Sequence, residues 1–316
     1  MKKKTVTRAL ALFLCAASLL AVLAFPASAD TGPKPSVRVN FLHLGSELCY
    51  GTLLSATPST GPASVWNGDE RWAMHNGNEL YASRDLDEAT WRAFVEYKDK
   101  DGFYFLQETW RVSETKEIAW TYYPPSPFKI LLYFPEKNAF AVSGICERYA
   151  FDTYYTVDMD GIQIDKVEYD EDSSTDERID AWLHATPSYE YRDEILSLIA
   201  RILITIAIEI ALALCFALRE KKQLLVIAAT NIVTQIALNV LLNVVNYRSG
   251  PQVFVILYLL LELAVFAIET VVYCLLLPRV SVRKRPPARY VLYALVANAA
   301  SFGAGIALAY WIPGIF

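Results

Sequence analysis

Three glutamates, Glu209, Glu262 and Glu269, stand inside long apolar stretches of this 316-residue sequence. A charged side chain at the centre of a bilayer costs about 2.5 kcal/mol or more, so ionisable residues in such stretches face a bundle interior or a water-filled cavity. A buried carboxyl group can bind a proton or a cation, or hydrogen-bond a polar solute. The three residues therefore indicate a proton or ion pathway or a polar substrate site. The alternative is that they hydrogen-bond neighbouring helices together.

Other polar residues accompany the glutamates at helical spacing, so that each set shares one helix face. From the first stretch to the fourth, the main positions are Arg201, Thr205 and Glu209; Asn231, Thr234, Gln235 and Asn239; Glu262 and Glu269; and Asn298 and Ser301. Single Asn, Ser or Thr residues at such positions are typical of interhelical hydrogen bonds, each worth about 0.5–2 kcal/mol. The pattern predicts a compact helix bundle with a polar seam.

The four apolar stretches predict transmembrane helices near residues 195–218, 224–245, 253–277 and 290–312, within a domain at 194–316. Each stretch is close to or above the ~20 residues that a bilayer span requires. The first and last connectors are rich in Lys and Arg, whereas the middle connector holds only Arg248. Basic connectors stay in the cytoplasm. This bias predicts that the segment before the first helix and Phe316 lie outside the cell.

The N-terminus has the pattern of a secretory signal peptide over residues 1–29. Three lysines precede an apolar stretch at 9–25, and small residues at 27–29 suit cleavage before Asp30. The alternative, an uncleaved anchor helix, would be short for a span. Together with the connectors, this pattern predicts a multi-pass plasma-membrane protein whose N-terminal domain and C-terminus are extracytoplasmic.

The segment between the signal peptide and the first helix is acidic. From residue 30 to residue 200 we count 30 Asp and Glu against 15 Lys and Arg, a net charge of −15 within an overall charge of −5. Nucleic-acid binding requires a basic surface, so the lipid bilayer, not nucleic acid, is the partner that the sequence indicates. We expect an extracytoplasmic domain at 30–164 and an acidic linker with a juxtamembrane segment at 165–193.

The extracytoplasmic domain is predicted to be β-rich. Alternating or aromatic and branched stretches between turn formers predict strands at 36–41, 102–112, 128–134, 139–143 and 149–157. A turn is expected at 135–138, a hairpin turn at Asp160-Gly161 before a strand at 162–164, and a short helix at 86–98. The predicted fold class is α+β: a β-rich domain, with a sandwich as the candidate arrangement, followed by a four-helix transmembrane bundle.

An aromatic and proline-rich segment contains Trp120, Tyr122, Tyr123 and Phe128. Such rings can form a platform that stacks on sugars or holds an extended peptide. Buried aromatic rings also dominate the energetics of protein cores. The sequence leaves both interpretations open.

Cysteine and histidine usage indicates no cofactor. Cys49 and Cys146 share the exported segment, where a disulfide between them is permitted, although nothing in their spacing requires one. His43, His75 and His184 lie outside the apolar stretches, so the helices lack the histidines of an intramembrane zinc site. No nucleophile-elbow motif is present. We therefore expect neither a metal nor a cofactor, and nothing in the sequence points to an enzyme.

Several segments resemble uncharacterised membrane proteins of Gram-positive bacteria; they are residues 36–41, 49–55, 59–62, 122–136 and 147–152. The helical part is similar to a wider bacterial group with the pattern Asn-x-x-Thr-(His or Gln), a Glu pair seven apart, and Asn-x-x-Ser-x-x-x-Gly. The matching positions are Asn231, Thr234 and Gln235; Glu262 and Glu269; and Asn298, Ser301 and Gly305. The resemblance implies an architecture but no activity. Gln235 stands where some relatives have His, which weakens a metal or proton-relay role there.

Two functional hypotheses follow from these patterns. In the first, the bundle translocates a small polar solute or ion, and the exported domain gates or captures it. Four helices are few for a transporter, so this hypothesis implies a homo-oligomer. In the second, the protein is a non-enzymatic sensor or binding protein of the cell envelope, whose exported domain binds a ligand and whose helices act as anchor and signal element.

Overall fold

The computed structural model describes residues 33–68, 86–165, 181–283 and 285–311, apart from the side chains of Asp193, Ser197 and 307–311. The predicted signal peptide, His75 and most of the predicted acidic linker lie outside these residues. The chain divides into two compact units, which we call the sheet unit, Lys34–Tyr191, and the helical unit, which includes Arg192–Phe316.

In its described residues, the sheet unit contains two four-stranded sheets, a small hairpin and two short α-helices, α1 (Glu88–Glu96) and α2 (Val112–Thr115). Its strands are β1 (Ser36–Leu42), β2 (Tyr50–Ser55), β3 (Ser59–Thr60), β4 (Ala63–Ser64), β5 (Glu117–Trp120), β6 (Phe128–Phe134), β7 (Ala139–Ser143), β8 (Asp152–Asp158), β9 (Ala181–Leu183) and β10 (Ala185–Pro187). The first sheet has the order β10-β8-β1-β5 and the second β2-β6-β7-β9. Neighbouring strands are antiparallel, except that β1 and β8 are parallel, as are β7 and β9.

Both sheets contribute to one apolar core. Val39 of β1, Leu53 of β2 and Ile130 of β6 belong to the same buried cluster. The opposite face of β6 packs beneath helix α1 (Glu88–Glu96), where Phe94 contacts Tyr133 edge to face at 5.8 Å between ring centroids. Because side chains alternate across a strand, coverage on both faces explains why every residue of β6 is buried.

Several sequence predictions are confirmed in the sheet unit. The strands predicted at 36–41, 128–134 and 139–143 correspond to β1, β6 and β7. The predicted helix at 86–98 corresponds to α1, which begins after Asp87; its carboxylate caps the helix by accepting the Thr90 N–H at 2.9 Å. The predicted turn at 135–138 is a short 3₁₀ helix, Pro135–Lys137, followed by Asn138 in the left-handed region.

Three predictions in this unit are wrong. Residues 102–112 form isolated bridges to β2, at Tyr104 and Trp110, instead of a continuous strand. Residues 162–164 form no strand after the turn at Gly161. The edge of β8 with which such a strand would pair is paired with β10 instead. The linker predicted at 165–193 is interrupted, since residues 181–187 contribute β9 and β10 to the two sheets.

Gly51 of β2 marks a point where the core leaves no room for a side chain. A Cβ atom there would lie 2.7 Å from Cγ2 of Val112 and 2.9 Å from both Ile118 Cδ1 and Leu132 Cδ2. Overpacking of this kind typically costs about 1–3 kcal/mol. We expect Gly51→Ala to lower the free energy of unfolding of the sheet unit by that amount, measured by urea titration of tryptophan fluorescence. Gly45→Ala, which meets no atom within 4 Å, is the matched control; equal losses in the two variants would contradict the expectation.

In its described residues, the helical unit contains four long helices: α3 (Arg192–Cys215), α4 (Lys221–Ser249), α5 (Pro251–Val280) and α6 (Pro287–Trp311). Among the described residues, three stretches are long and apolar enough to cross a membrane: Glu194–Cys215, Lys221–Ser249 and Pro251–Val280. The chain is therefore a membrane protein. Gly250, with φ of 79°, separates α4 from α5, and Pro251 opens α5 at a position where its missing N–H costs nothing.

The α3–α4 connector is hydrogen-bonded to the segment between α5 and α6. Both carboxylate oxygens of Glu220 accept the Val282 N–H, at 2.9 and 3.0 Å. Gln223 Nε2 donates to Ser281 Oγ at 2.5 Å, and Arg289 Nε donates to the Phe216 carbonyl at 2.8 Å. These bonds close one end of the helical unit, next to a buried apolar cluster that contains Ala213, Leu218, Leu277 and Tyr290.

Candidate functional site

Polar residues of all four long helices meet in the interior of the helical unit. Helical spacing gives each helix one polar face, and packing turns these faces toward one another. Glu209 of α3 is 1% exposed and Glu269 of α5 is fully buried. The hydrogen bonds fall into three levels along the bundle, which we name the Glu209 layer, the Glu269 layer and the Glu262 layer.

The Glu209 layer joins all four helices. Oε2 of Glu209 accepts hydrogen bonds from Asn231 Nδ2 of α4 at 2.6 Å, the Tyr273 hydroxyl of α5 at 3.1 Å and the Tyr293 hydroxyl of α6 at 3.3 Å. Asn231 also donates to the Ile227 carbonyl of its own helix at 3.1 Å. One carboxylate oxygen is thus surrounded by three donors from three different helices.

The Glu269 layer joins α4, α5 and α6. Thr234 Oγ1 lies 2.7 Å from Oε1 of Glu269, and Asn298 Nδ2 donates to Oε2 at 2.7 Å. Asn298 uses its other N–H to bond the Ala294 carbonyl at 3.0 Å. Each oxygen of Glu269 therefore has its own polar partner, and the partners come from different helices.

The Glu262 layer surrounds a small cavity. The Glu262 carboxyl group lies beside the Tyr258 hydroxyl and near the Arg201 guanidinium. Arg201 also lies over the Tyr258 ring, 5.8 Å from its centroid, and its Nη1 donates to Asn239 Oδ1 at 3.2 Å. The cavity is lined by these residues and their neighbours: Arg201, Ile204, Thr205, Gln235, Tyr258, Glu262, Ser301 and Gly305. Its volume is about 20 Å³.

The sequence-predicted residues of the helical unit thus lie together, although not at one point. The Glu209 and Glu269 layers contain five of them: Glu209, Asn231, Thr234, Glu269 and Asn298. Arg201, Thr205, Gln235, Glu262 and Ser301 line the cavity, and Asn239 bonds Arg201. Glu262 and Glu269 are seven positions apart on α5. With a helical rise of about 1.5 Å per residue, their layers are about 10 Å apart.

Sequence reasoning missed Tyr293 and gave Tyr273 no role. Both hydroxyls lie against Glu209, and both side chains are fully buried. Tyr293 precedes Ala297 by four residues and Ser301 by eight, which places it on the same helix face as the small residues of α6. That spacing is the signal that would have identified it.

One buried polar atom in the Glu209 layer has no partner within the described part of the chain. It is Oδ1 of Asn231, a residue that is 1% exposed. Its sister atom Nδ2 makes the hydrogen bonds to Glu209 and Ile227. An unsatisfied acceptor in such a place costs about 1–3 kcal/mol. The Asn231 oxygen could therefore accept a hydrogen bond from one further donor.

The aromatic platform proposed from the sequence is reduced to two rings. Trp120 and Phe128 are buried in the core of the sheet unit, because β5 and β6 turn them inward. Tyr122 and Tyr123 remain accessible, and Nζ of Lys34 lies 5.4 Å from the centroid of the Tyr123 ring. Of the four rings named from the sequence, Tyr122 and Tyr123 are therefore the two with surface accessible to a ligand.

The other candidate residues of the sheet unit are placed as follows. Cys49 and Cys146 are free thiols, both buried in the core that the two sheets share. His43 Nδ1 lies 2.7 Å from Oδ1 of Asp158, and this pairing raises the pKa of His43 above its ordinary value. Among the residues that the structure describes, no three His, Cys, Asp or Glu side chains are grouped to hold a metal ion.

The three layers together can accept, hold and release a small charged or hydrogen-bonding species. Carboxyl groups supply the charge, and amide and hydroxyl groups adjust their hydrogen bonds around it. Compared with models of protein families, with curated proteins and with solved structures, the chain matches nothing.

Proposed function

We propose that the chain is a multi-pass plasma-membrane protein whose four long helices form an oligomerising bundle that translocates a small polar solute or ion. In this proposal α6 is the fourth span, and the sheet unit is an extracytoplasmic sandwich that a signal peptide exports and that gates or captures the solute. The C-terminus is extracytoplasmic as well. The observation that carries the proposal is the hydrogen-bonded burial of Glu209 and Glu269 between the helices.

Mechanical stability alone would not require this arrangement. Asn, Ser and Thr side chains suffice for interhelical hydrogen bonds, and they introduce no charge. A carboxyl group in an apolar environment costs more, and such residues mark ion pathways and proton relays in membrane proteins. Three carboxyl groups in successive layers, with a cavity beside one of them, support transport over simple helix adhesion.

The test is flux through vesicles that contain the purified full-length chain. We expect Glu269→Leu to reduce the flux of the transported ion at least about tenfold, which corresponds to a barrier increase of about 1.4 kcal/mol. The physical reason is that leucine can neither carry the charge nor bond Thr234 and Asn298. Glu269→Gln, which keeps the shape and the hydrogen bonds, should lower the flux as well because it cannot change its charge.

Val271→Ala is the matched control, since Val271 lies two residues away on the exposed face of the same helix. Its flux should equal that of the unchanged chain. Equal flux in all variants, with the protein folded and inserted, would reject a role for Glu269 and leave it as a helix–helix contact.

The sensor hypothesis rests on a weaker observation. Tyr122 and Tyr123 pack edge to face at 4.8 Å between centroids, with Lys34 above them, and could stack on a sugar or a peptide. A glycan that binds the full-length chain and loses affinity in Tyr123→Ala would favour this second function.

A further inference from the structure

We propose that the species exchanged by the buried carboxyl groups is the proton, and not a metal cation or an organic solute. The inference rests on the proposed function and names its substrate class. It follows from the size of the cavity, the chemistry of the groups around each carboxyl oxygen, and two hydrogen-bonding features of helix α4.

The cavity in the Glu262 layer is too small for an organic solute. A single water molecule needs a cavity of about 10–15 Å³, and this cavity has a volume of about 20 Å³. It therefore has room for about one water molecule beside Glu262. A water in contact with a carboxyl group can deliver or remove a proton, whereas an amino acid or a sugar would not fit.

The groups around the carboxyl oxygens are hydrogen-bond donors. Glu209 and Glu269 are faced by N–H and O–H groups of Asn231, Tyr273, Tyr293, Thr234 and Asn298. Hard cations such as Ca²⁺ take six to eight oxygen ligands, with carboxylates prominent among them. Within the described residues, no three His, Cys, Asp or Glu side chains are grouped to hold a metal ion.

Thr234 can accommodate Glu269 in both its charged and its neutral form. Its single hydroxyl hydrogen has three acceptors in reach: Oε1 of Glu269 at 2.7 Å and the Thr230 and Asn231 carbonyls at 3.0 and 3.2 Å. When Glu269 is charged, Thr234 donates to it. When a proton arrives, an O–H bond breaks in a hydronium ion, which becomes water, and a new O–H bond forms at Oε1. Glu269 then donates to Thr234, whose own hydrogen turns to Thr230.

The unpartnered Oδ1 of Asn231 is an independent sign of a missing proton donor. It is an acceptor in the Glu209 layer, within a side chain that is 1% exposed. A water molecule or a protonated carboxyl group would satisfy it. Thr234 and Asn231 of α4 can therefore both hydrogen-bond a protonated carboxyl group.

The charges that face these groups come from several helices. Glu209 is faced by Tyr273 and Glu269 of α5 and by Tyr293 of α6. Glu262 is faced by Tyr258 and Glu269 of its own helix and by Arg201 of α3. Glu269 is faced by Glu209 of α3. Protonation of one carboxyl group therefore alters the electrostatic potential at the next.

The test follows the infrared band of protonated carboxyl groups in the full-length chain, in phosphatidylcholine and phosphatidylglycerol nanodiscs, as pH is varied. We expect a band that grows as pH falls, loses amplitude in Glu269→Gln, and shifts in D₂O. Its midpoint should be unchanged when choline is replaced by Na⁺, K⁺ or Ca²⁺ at constant ionic strength. A midpoint that moves with Na⁺, K⁺ or Ca²⁺ would overturn the inference, and this arm needs only the unchanged protein.

The two proposals fail separately. A proton titration without flux in vesicles would reject translocation and keep the proton site. Flux of Na⁺ or K⁺ together with a cation-dependent midpoint would keep translocation and reject the proton as its substrate. Glu209→Gln provides a second variant if Glu269→Gln does not fold, which far-UV circular dichroism would reveal.

Discussion

Replacing Lys129 by methionine should destabilise the sheet unit by about 3–5 kcal/mol, the loss expected when one partner of a buried ion pair is removed. Lys129 and Asp99 are each only 1% exposed, and Nζ of Lys129 lies 2.8 Å from Oδ1 of Asp99. Nζ also lies 2.5 Å from Oδ2 of Asp101, which is partly exposed. Without the lysine, Asp99 would keep a buried charge with no cation beside it. Urea titration of the full-length chain, followed by tryptophan fluorescence, would measure the loss.

Lys137→Met is the matched control for Lys129→Met. Lys137 pairs with Glu47 at the same 2.8 Å, but both side chains are about one-third exposed. Water screens such a pair, so its removal should cost about 0–1 kcal/mol. The double variant Lys129→Met with Asp99→Leu should recover much of the stability, since it removes both buried charges. If Lys129→Met and Lys137→Met lost the same free energy of unfolding, burial of the Lys129–Asp99 pair would not be the cause of the loss.

Replacing Glu108 by glutamine should stabilise the sheet unit at alkaline pH. Glu108 is 8% exposed, and this burial raises the pKa of its carboxyl group to about 8. The unfolded chain releases that proton near pH 4.3. The folded state therefore holds a proton that the unfolded state has lost, and stability falls as pH rises from about 4.3 to 8. Over this range the loss is on the order of 5 kcal/mol, and glutamine does not undergo it.

The measurement is a pair of urea titrations of the unchanged chain and Glu108→Gln, at about pH 5 and about pH 9, chosen to bracket the folded-state pKa. The two chains should differ little in the acidic sample, and the variant should be the more stable in the alkaline one. His43 titrates in the same range, but it is present in both chains and drops out of the difference. An identical pH dependence in the two chains would mean that Glu108 is hydrated in the folded state.

The strands that sequence reasoning found are those with a clear period or with apolar residues between turn formers. β1 alternates, and β6 and β7 are continuous apolar runs on either side of Pro135–Lys137. β9 and β10 were missed because each has only three residues. Their pairing with β7 and β8 is set by distant parts of the chain, which local patterns do not reveal.

The polar residues of the helices were predictable for a different reason. Helical periodicity shows which residues share a face, so Arg201, Thr205 and Glu209 could be grouped in advance. Periodicity does not show at which height two helices meet. The assignment of Asn231 to Glu209 and of Asn298 to Glu269 therefore required the structure.

Helix α4 contributes to every polar layer, and this has a consequence for how the chain assembles. Asn231 bonds Glu209, Thr234 bonds Glu269, and Asn239 bonds Arg201. A slip of α4 by one turn, about 5.4 Å, would separate all three pairs at once. Apolar side chains cannot prevent such a slip within a bilayer, because lipid tails are as apolar as the helices. The polar stripe of α4 thus selects one vertical alignment for helices that can insert independently.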